Sequence, residues 1–226
     1  MATRTLWLVL LSLTKIAGKI CKGVENSKAI DTTAQPATTK CGNFFISGSL
    51  TEPQWLQKLD LCNKSFKGTI PTSLSHCLNL MYLNVARNKL VGEFLKELAY
   101  SMPRLIILYL RENNLTGGIP PSIENLTSLE NFGAVYTPFG GIIPNALGQL
   151  KYLTFLGLGG TQISGTIPPS LYNLSLLDTL SLFDNRLSGS LPLTFAFIFP
   201  ELRILRLYVN QFNGPIRFQY PTLRSW

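Results

Sequence analysis

The stretch LIILYLRENNLTGGIPPSIENLTS, residues 105–128, decides how this chain is read, because its spacing returns on either side of it. Leucines that open such a unit stand at Leu56, Leu80, Leu105, Leu129, Leu153, Leu177 and Leu202, in steps of 24 or 25 residues. The shared pattern is LxxLxLxxNxLxGxIPxxLxxLxx, and IPPS occurs twice, 48 residues and hence two units apart. A fixed period of this length marks stacked coils, each of which cannot enclose its own apolar face and must borrow a wall from its neighbours.

Counting places from the opening leucine, each position has a physical task. Apolar residues at places four and six alternate with variable ones, as in Leu108, Tyr109 and Leu110, the period of a strand buried on one face. One short strand per unit predicts a parallel sheet along an inner face, with the apolar residues at places one, eleven, nineteen and twenty-two filling the space behind it. Place nine carries Asn88, Asn113, Asn185 and Asn210. An amide both donates and accepts, so it can satisfy backbone groups where the chain leaves the strand. Thr137 and Thr161 keep a hydroxyl there, whereas Lys64 foretells a distorted first turn. The glycine at place thirteen permits positive φ, and the proline at place sixteen (Pro71, Pro120, Pro144, Pro168, Pro192) fixes φ and stops a helix from running through.

With 226 residues and 46% apolar content the chain can bury a substantial core. Its net charge of +8 comes from 20 basic and 12 acidic side chains without a long basic run, so no nucleic-acid partner is expected. Arg4, then an apolar run over residues 6–13, then small and polar residues give signal-peptide order, assigned to residues 1–18. That run is too short for a bilayer, which takes about twenty residues, and no later stretch reads as a membrane span. Residues 19–55 form a poorly defined N-terminal segment or degenerate cap, and residues 56–226 the repeat array of about seven units, the last incomplete. Cys21, Cys41, Cys62 and Cys77 allow three disulfide connectivities in an oxidising compartment. Cys77 falls on an apolar place and reads as a buried thiol, while Cys62 faces outward and can pair with an N-terminal cysteine. His76 is the only histidine, no CxxC occurs, and the glycines recur with the unit. No metal, cofactor or catalytic centre is therefore expected.

The phrase LxGxIPxxLxxLxxLxxLxL resembles the plant-specific class of extracellular leucine-rich repeat. More narrowly, LGQLKYLTFLGLGGTQISGTIPPSLYNLSLLDTLSLFDNRLSGSLP followed by FPELRILRLYVNQFNGPI is similar to the ectodomains of plant receptor-like kinases of the immune-receptor subfamily. The resemblance runs from Leu56 to Ile216. It implies an α/β-type repeat solenoid: a curved, right-handed superhelix with a parallel concave β-sheet, an irregular or 3-10 convex side, and a second small sheet at the GxIP segment. It also implies a peptide or protein ligand, a co-receptor as a further partner, and a secreted, apoplastic or plasma-membrane-associated location. The membrane helix and kinase of that family would follow beyond Trp226.

Places three, five, seven and eight are the solvent-facing positions of the strand segments, and the glycines of the fourth and fifth units predict a shallow floor between aromatic walls. The candidate ligand-binding residues are Tyr82, Ile107, Tyr109, Arg111, Tyr136, Phe155, Phe183, Arg206 and Tyr208, of types enriched at interface hot spots. Two readings stand for each aromatic: contact with a ligand, or packing on the next ring along the sheet. Four N-x-S/T sequons at Asn63, Asn114, Asn125 and Asn173 are either glycan acceptors or repeat consensus, and Asn125 and Asn173 share place twenty-one and so one flank. The sequence thus predicts a non-enzymatic recognition module in plant defence or developmental signalling. An inhibitor of a polygalacturonase, or a receptor-kinase fragment without a role of its own, are the alternatives.

Overall fold

The computed structural model describes residues 56–94, 96–192 and 198–214. The signal peptide, the segment at 19–55 with Cys21 and Cys41, and the rest of the last unit lie outside the described residues.

Every unit begins with a three-residue strand at places three to five. Numbering strands in chain order, these are β1 (Lys58–Asp60), β3 (Tyr82–Asn84), β5 (Ile107–Tyr109), β7 (Asn131–Gly133), β8 (Phe155–Gly157), β10 (Thr179–Ser181) and β12 (Ile204–Arg206), joined in that order as one parallel seven-stranded sheet. Register is strict. Lys58, Tyr82, Ile107, Asn131, Phe155, Thr179 and Ile204, all at place three, pair in succession. The ladder continues past the named strands, with Arg87 N donating to Arg111 O at 2.8 Å and Asp184 N to Tyr208 O at 2.9 Å.

Behind the sheet the chain turns through short 3-10 helices at Thr72–His76, Pro121–Asn125, Asn145–Gln149 and Pro169–Asn173. Each is entered from the expected proline, Pro71, Pro120, Pro144 or Pro168, at φ between −70° and −74°. The second unit has 25 residues instead of 24, and its back is α1 (Lys96–Ser101), an α-helical turn. Strands repeat about every 4.8 Å, whereas helical turns need more width, so the stack bends toward the strand side and makes it concave.

Leucines, isoleucines and phenylalanines of successive units merge into one core, with Leu80, Leu108, Phe132, Leu156 and Leu180 at or near zero exposure. Burial of each such side chain stabilises the fold by about 1.5–3 kcal/mol. Cys77 is fully buried in that core and Cys62 is half-buried.

Place nine performs its assigned task. Asn113 Nδ2 donates to Val85 O (2.9 Å) and Leu110 O (2.9 Å), while its Oδ1 accepts from Leu90 N (3.1 Å), so one amide ties the third unit to the second. Asn88, Asn185 and Asn210 repeat the arrangement. Thr137 Oγ1 donates back to Leu110 O at 2.9 Å, and Thr161 Oγ1 to Leu158 O of its own unit at 2.7 Å. Lys64 marks an altered turn as expected: Ser65 after it is left-handed, as place ten is in none of the units that carry asparagine at place nine.

On one flank, the segments at places ten to fourteen pair as two small parallel sheets. One joins β2 (Lys67–Gly68), β4 (Lys89–Glu93) and β6 (Asn114–Thr116). The other joins β9 (Ser164–Gly165), β11 (Arg186–Ser190) and β13 (Gln211–Asn213). The fourth unit separates them. At place ten, Lys89 N and Arg186 N donate to Phe66 O and Ile163 O of the preceding units (both 2.7 Å), but the fourth unit has Pro138 there, which has no N–H to give. In place of a strand the fourth unit has a bridge between Ile142 and Ser164 and separate backbone hydrogen bonds, with Gly118 N donating to Phe139 O and Gly140 N to Thr161 O, both at 2.9 Å.

Candidate functional site

The concave face is the surface on which variable residues gather, and its chemistry changes along the stack. In the first two units it is polar. Tyr82 Oη donates to Asp60 Oδ2 (3.3 Å), Asn84 Nδ2 donates to Tyr82 Oη (3.3 Å), and Asn84 Oδ1 accepts from Ala86 N (3.0 Å). Lys58 Nζ lies 4.7 Å from the centre of the Tyr82 ring, a cation over the electron-rich face. Burial, and secondarily the Asp60 carboxylate, push the Tyr82 hydroxyl up to about 12. Tyr109 packs edge-on against Tyr82 with ring centres 6.4 Å apart, and burial pushes its hydroxyl up as well.

At the carboxyl ends of β3 and β5 sits a charge cluster. Glu112 receives Arg87 Nε at 3.2 Å and Arg111 Nη2 at 2.7 Å, and the two arginine side chains remain 53% and 47% exposed. The candidates read from the sequence include Arg111 but not Arg87 and Glu112, although both occupy place eight, one of the positions expected to face solvent.

Further along, the surface is aromatic. Tyr136 meets Phe183 edge-on at 5.8 Å, and Phe183 stacks on Tyr208 at 5.1 Å with planes 14° apart. Tyr136 and Phe183 belong to units four and six. They reach each other because unit five has Gly159 and Gly160 between them: a Cβ on Gly160 would lie 2.5 Å from Tyr136 Cδ1, and one on Gly159 would intrude on the Phe183 ring. The expected open floor is thus corrected. Rings lie down over the glycines and fill it, Tyr109 over Gly133 and Phe155 over Gly157 in the same manner. Places three, five and seven are not uniformly solvent-facing either: Asn84, Ala86, Thr179 and Ser181 are buried, because strands about 4.8 Å apart let large side chains roof small neighbours.

Of the nine candidate residues, Arg111, Tyr136, Arg206 and Tyr208 are exposed. Ile107, Tyr109, Phe155, Phe183 and Tyr82 are half-buried along the same face. Tyr136 and Tyr208, at 51% and 60% exposure, are the open ends of the aromatic row. The sequons lie elsewhere. Asn125 and Asn173 end equivalent 3-10 helices on the convex side, and Asn125 Nδ2 donates to Ser122 O at 3.0 Å, while Asn173 is exposed. Asn114 is exposed at the start of β6, and Asn63 is exposed at place eight of the first unit. Among the described residues no helix is long and apolar enough to cross a membrane.

The Leucine Rich Repeat family matches residues 55–77, 104–126 and 152–174, one stretch in every second unit. Receptor-like protein 36 of Arabidopsis thaliana is 35% identical over 91 residues, which cover 39% of this chain and 13% of that protein. Receptor-like protein 53 of the same plant is 36% identical over 146 residues, covering 61% of this chain and 15% of the relative. The chain therefore spans under a sixth of the length of these curated relatives. Among solved structures, the Arabidopsis receptor kinase HAESA, in complex with the peptide hormone IDA and the co-receptor SERK1, superposes with a TM-score of 0.69 at 34% identity, over 73% of this chain and 28% of that one. The PEPR1–AtPEP1 structure matches with a TM-score of 0.62 at 32% identity, over 73% and 26% of the two chains.

Proposed function

Because the chain is a leucine-rich repeat solenoid homologous to Arabidopsis receptor-like proteins and receptor-kinase ectodomains, we propose that it is an extracellular recognition module whose concave face binds a peptide or protein. It acts by binding alone. Tyr82, Ile107, Tyr109, Arg111, Tyr136, Phe155, Phe183, Arg206 and Tyr208 form the recognition surface, in a signalling role in defence or development, and a co-receptor is a second partner. The observation that carries this reading is the aromatic row Tyr136, Phe183 and Tyr208, which presents its two outer rings to solvent at 51% and 60% exposure. Tyrosine and phenylalanine supply large contact area at little cost in side-chain entropy. Asn63, Asn114 and Asn173 carry glycans, and so does Asn125 when its bond to Ser122 gives way.

The test is retention of peptides from a plant extracellular fluid on the immobilised glycoprotein, read by mass spectrometry. Peptides held by the native chain are lost by a Tyr136→Ala/Tyr208→Ala variant and kept by Tyr152→Ala, which alters an exposed ring off the concave face. Equal retention by all three proteins would refute the assignment of the face. Loss of pectin cleavage when the protein is added to a fungal polygalacturonase would replace it with the inhibitor reading.

A further inference from the structure

Among places three to eight of all seven units, the charged residues are Lys58 and Asp60 in the first, Arg87 in the second, Arg111 and Glu112 in the third, Asp184 in the sixth and Arg206 in the seventh. Lys58 offsets Asp60 at one end and Arg206 offsets Asp184 at the other. Only the second and third units keep an unbalanced charge, two guanidiniums against one carboxylate. Glu112 holds both arginines in place, Arg111 through Nε (2.8 Å) and Nη2 (2.7 Å) and Arg87 through Nε (3.2 Å), so they are oriented before any ligand arrives. Arg87 spends one of its five N–H donors on this contact, and a carboxylate is the group that a preset guanidinium pair recognises. At the carboxyl ends of their strands, units four to seven carry only Asp184 and Arg206, which offset each other, and there the rings of Tyr136, Phe183 and Tyr208 run together.

We infer that the ligand is an extended peptide that places an acidic side chain at Arg87 and Arg111 and an aromatic or large aliphatic side chain at the Phe183–Tyr208 pair, about five residues apart. This inference rests on the peptide-binding reading above and specifies its ligand. The spacing comes from geometry. Arg111 stands two residues past the end of the third strand of the sheet, and Phe183 and Tyr208 stand two residues past the ends of the sixth and seventh. Three to four strand steps of about 4.8 Å give about 14–19 Å, which an extended chain rising about 3.3 Å per residue crosses in four to six residues. Orientation follows from charge: the guanidinium pair is the one unbalanced positive site along places three to eight, whereas at the ring pair Asp184 and Arg206 offset each other.

The experiment is selection of a random dodecapeptide library, displayed on its encoding mRNA, against the immobilised glycoprotein. Enriched peptides are expected to pair Asp or Glu with Phe, Trp, Tyr or Leu about five positions away. Selection against an Arg87→Ala/Arg111→Ala variant then loses the acid and keeps the apolar residue, and selection against Tyr208→Ala does the reverse. A selected peptide binds the Arg111→Ala protein about tenfold more weakly, and its binding to the native chain weakens with added salt. Enriched peptides without this spacing, or the same pattern from all three proteins, would overturn the inference and leave the peptide-binding reading intact. Failure of any peptide to enrich would overturn both.

Discussion

Asn113 and Thr137 share one acceptor, and that makes their coupling calculable. Asn113, 4% exposed, donates to Val85 O and Leu110 O and accepts from Leu90 N; Thr137, in the next unit, also donates to Leu110 O. Val85 O keeps a donor from Asn88 if Asn113 is lost, at 2.8 Å. In Asn113→Ala, therefore, the Leu90 N–H loses its amide acceptor, at about 1–3 kcal/mol, and three carbonyls, Val85, Leu110 and the more distant Arg111, each lose one of two donors, so the expected destabilisation is about 3 kcal/mol. Thr137→Val leaves Leu110 O with Asn113 and is expected to destabilise by about 1 kcal/mol. In the double variant Leu110 O loses both side-chain donors, and the combined loss should exceed the sum of the single ones by about 1 kcal/mol. Urea unfolding of the four proteins, followed by circular dichroism with unchanged slope, measures this cycle. Additivity within about 0.3 kcal/mol would refute the claim that place nine works as a shared ladder rather than as separate caps.

Three further outcomes follow from close contacts and from titration. Gly148→Ala puts a methyl group against the Ser170 carbonyl, a backbone atom that cannot step aside, and is expected to destabilise by about 1–3 kcal/mol in the same unfolding assay. Gly159→Ala pushes the Phe183 ring off its seat; near-ultraviolet circular dichroism should lose the signal of the stacked pair along with about 1 kcal/mol of stability, and Phe183→Leu in that background should recover most of the stability. Tyr82 should ionise near pH 12 by ultraviolet titration, a step absent in Tyr82→Phe. The folded state holds this proton more tightly than the unfolded one, so the associated stability is complete below pH 10 and is lost as pH rises through 12.

The leucine ladder, the place-nine amides and the proline-entered turns were legible in the sequence because each is the same answer to the same local demand, repeated from unit to unit. What was hidden is conformational rather than compositional. Place eight is left-handed in all seven units, with φ from 53° to 65° at Asn63, Arg87, Glu112, Tyr136, Gly160, Asp184 and Val209. Only Asn63, Gly160 and Asp184 are residue types that favour this conformation, and Val209 is among the least suited. The neighbouring strands and the place-nine bonds impose the turn whatever side chain occupies it, so no letter records it. Likewise, the glycines of the fifth unit were visible, but a list of places cannot tell that rings from the units on either side lie across them; that depends on how far a side chain reaches over strands about 4.8 Å away.

Pro138 carries a mechanical consequence. The main sheet is an unbroken belt on the inside of the coil, but the outer ribbon has no strand at the fourth unit, where one bridge and scattered backbone hydrogen bonds stand in place of a ladder. A rod fastened continuously along one edge and more sparsely halfway along the other bends most easily where the fastening is sparse. Changes in curvature of this coil therefore concentrate midway, and they alter the distance between the arginine pair and the stacked rings while each half keeps its own shape.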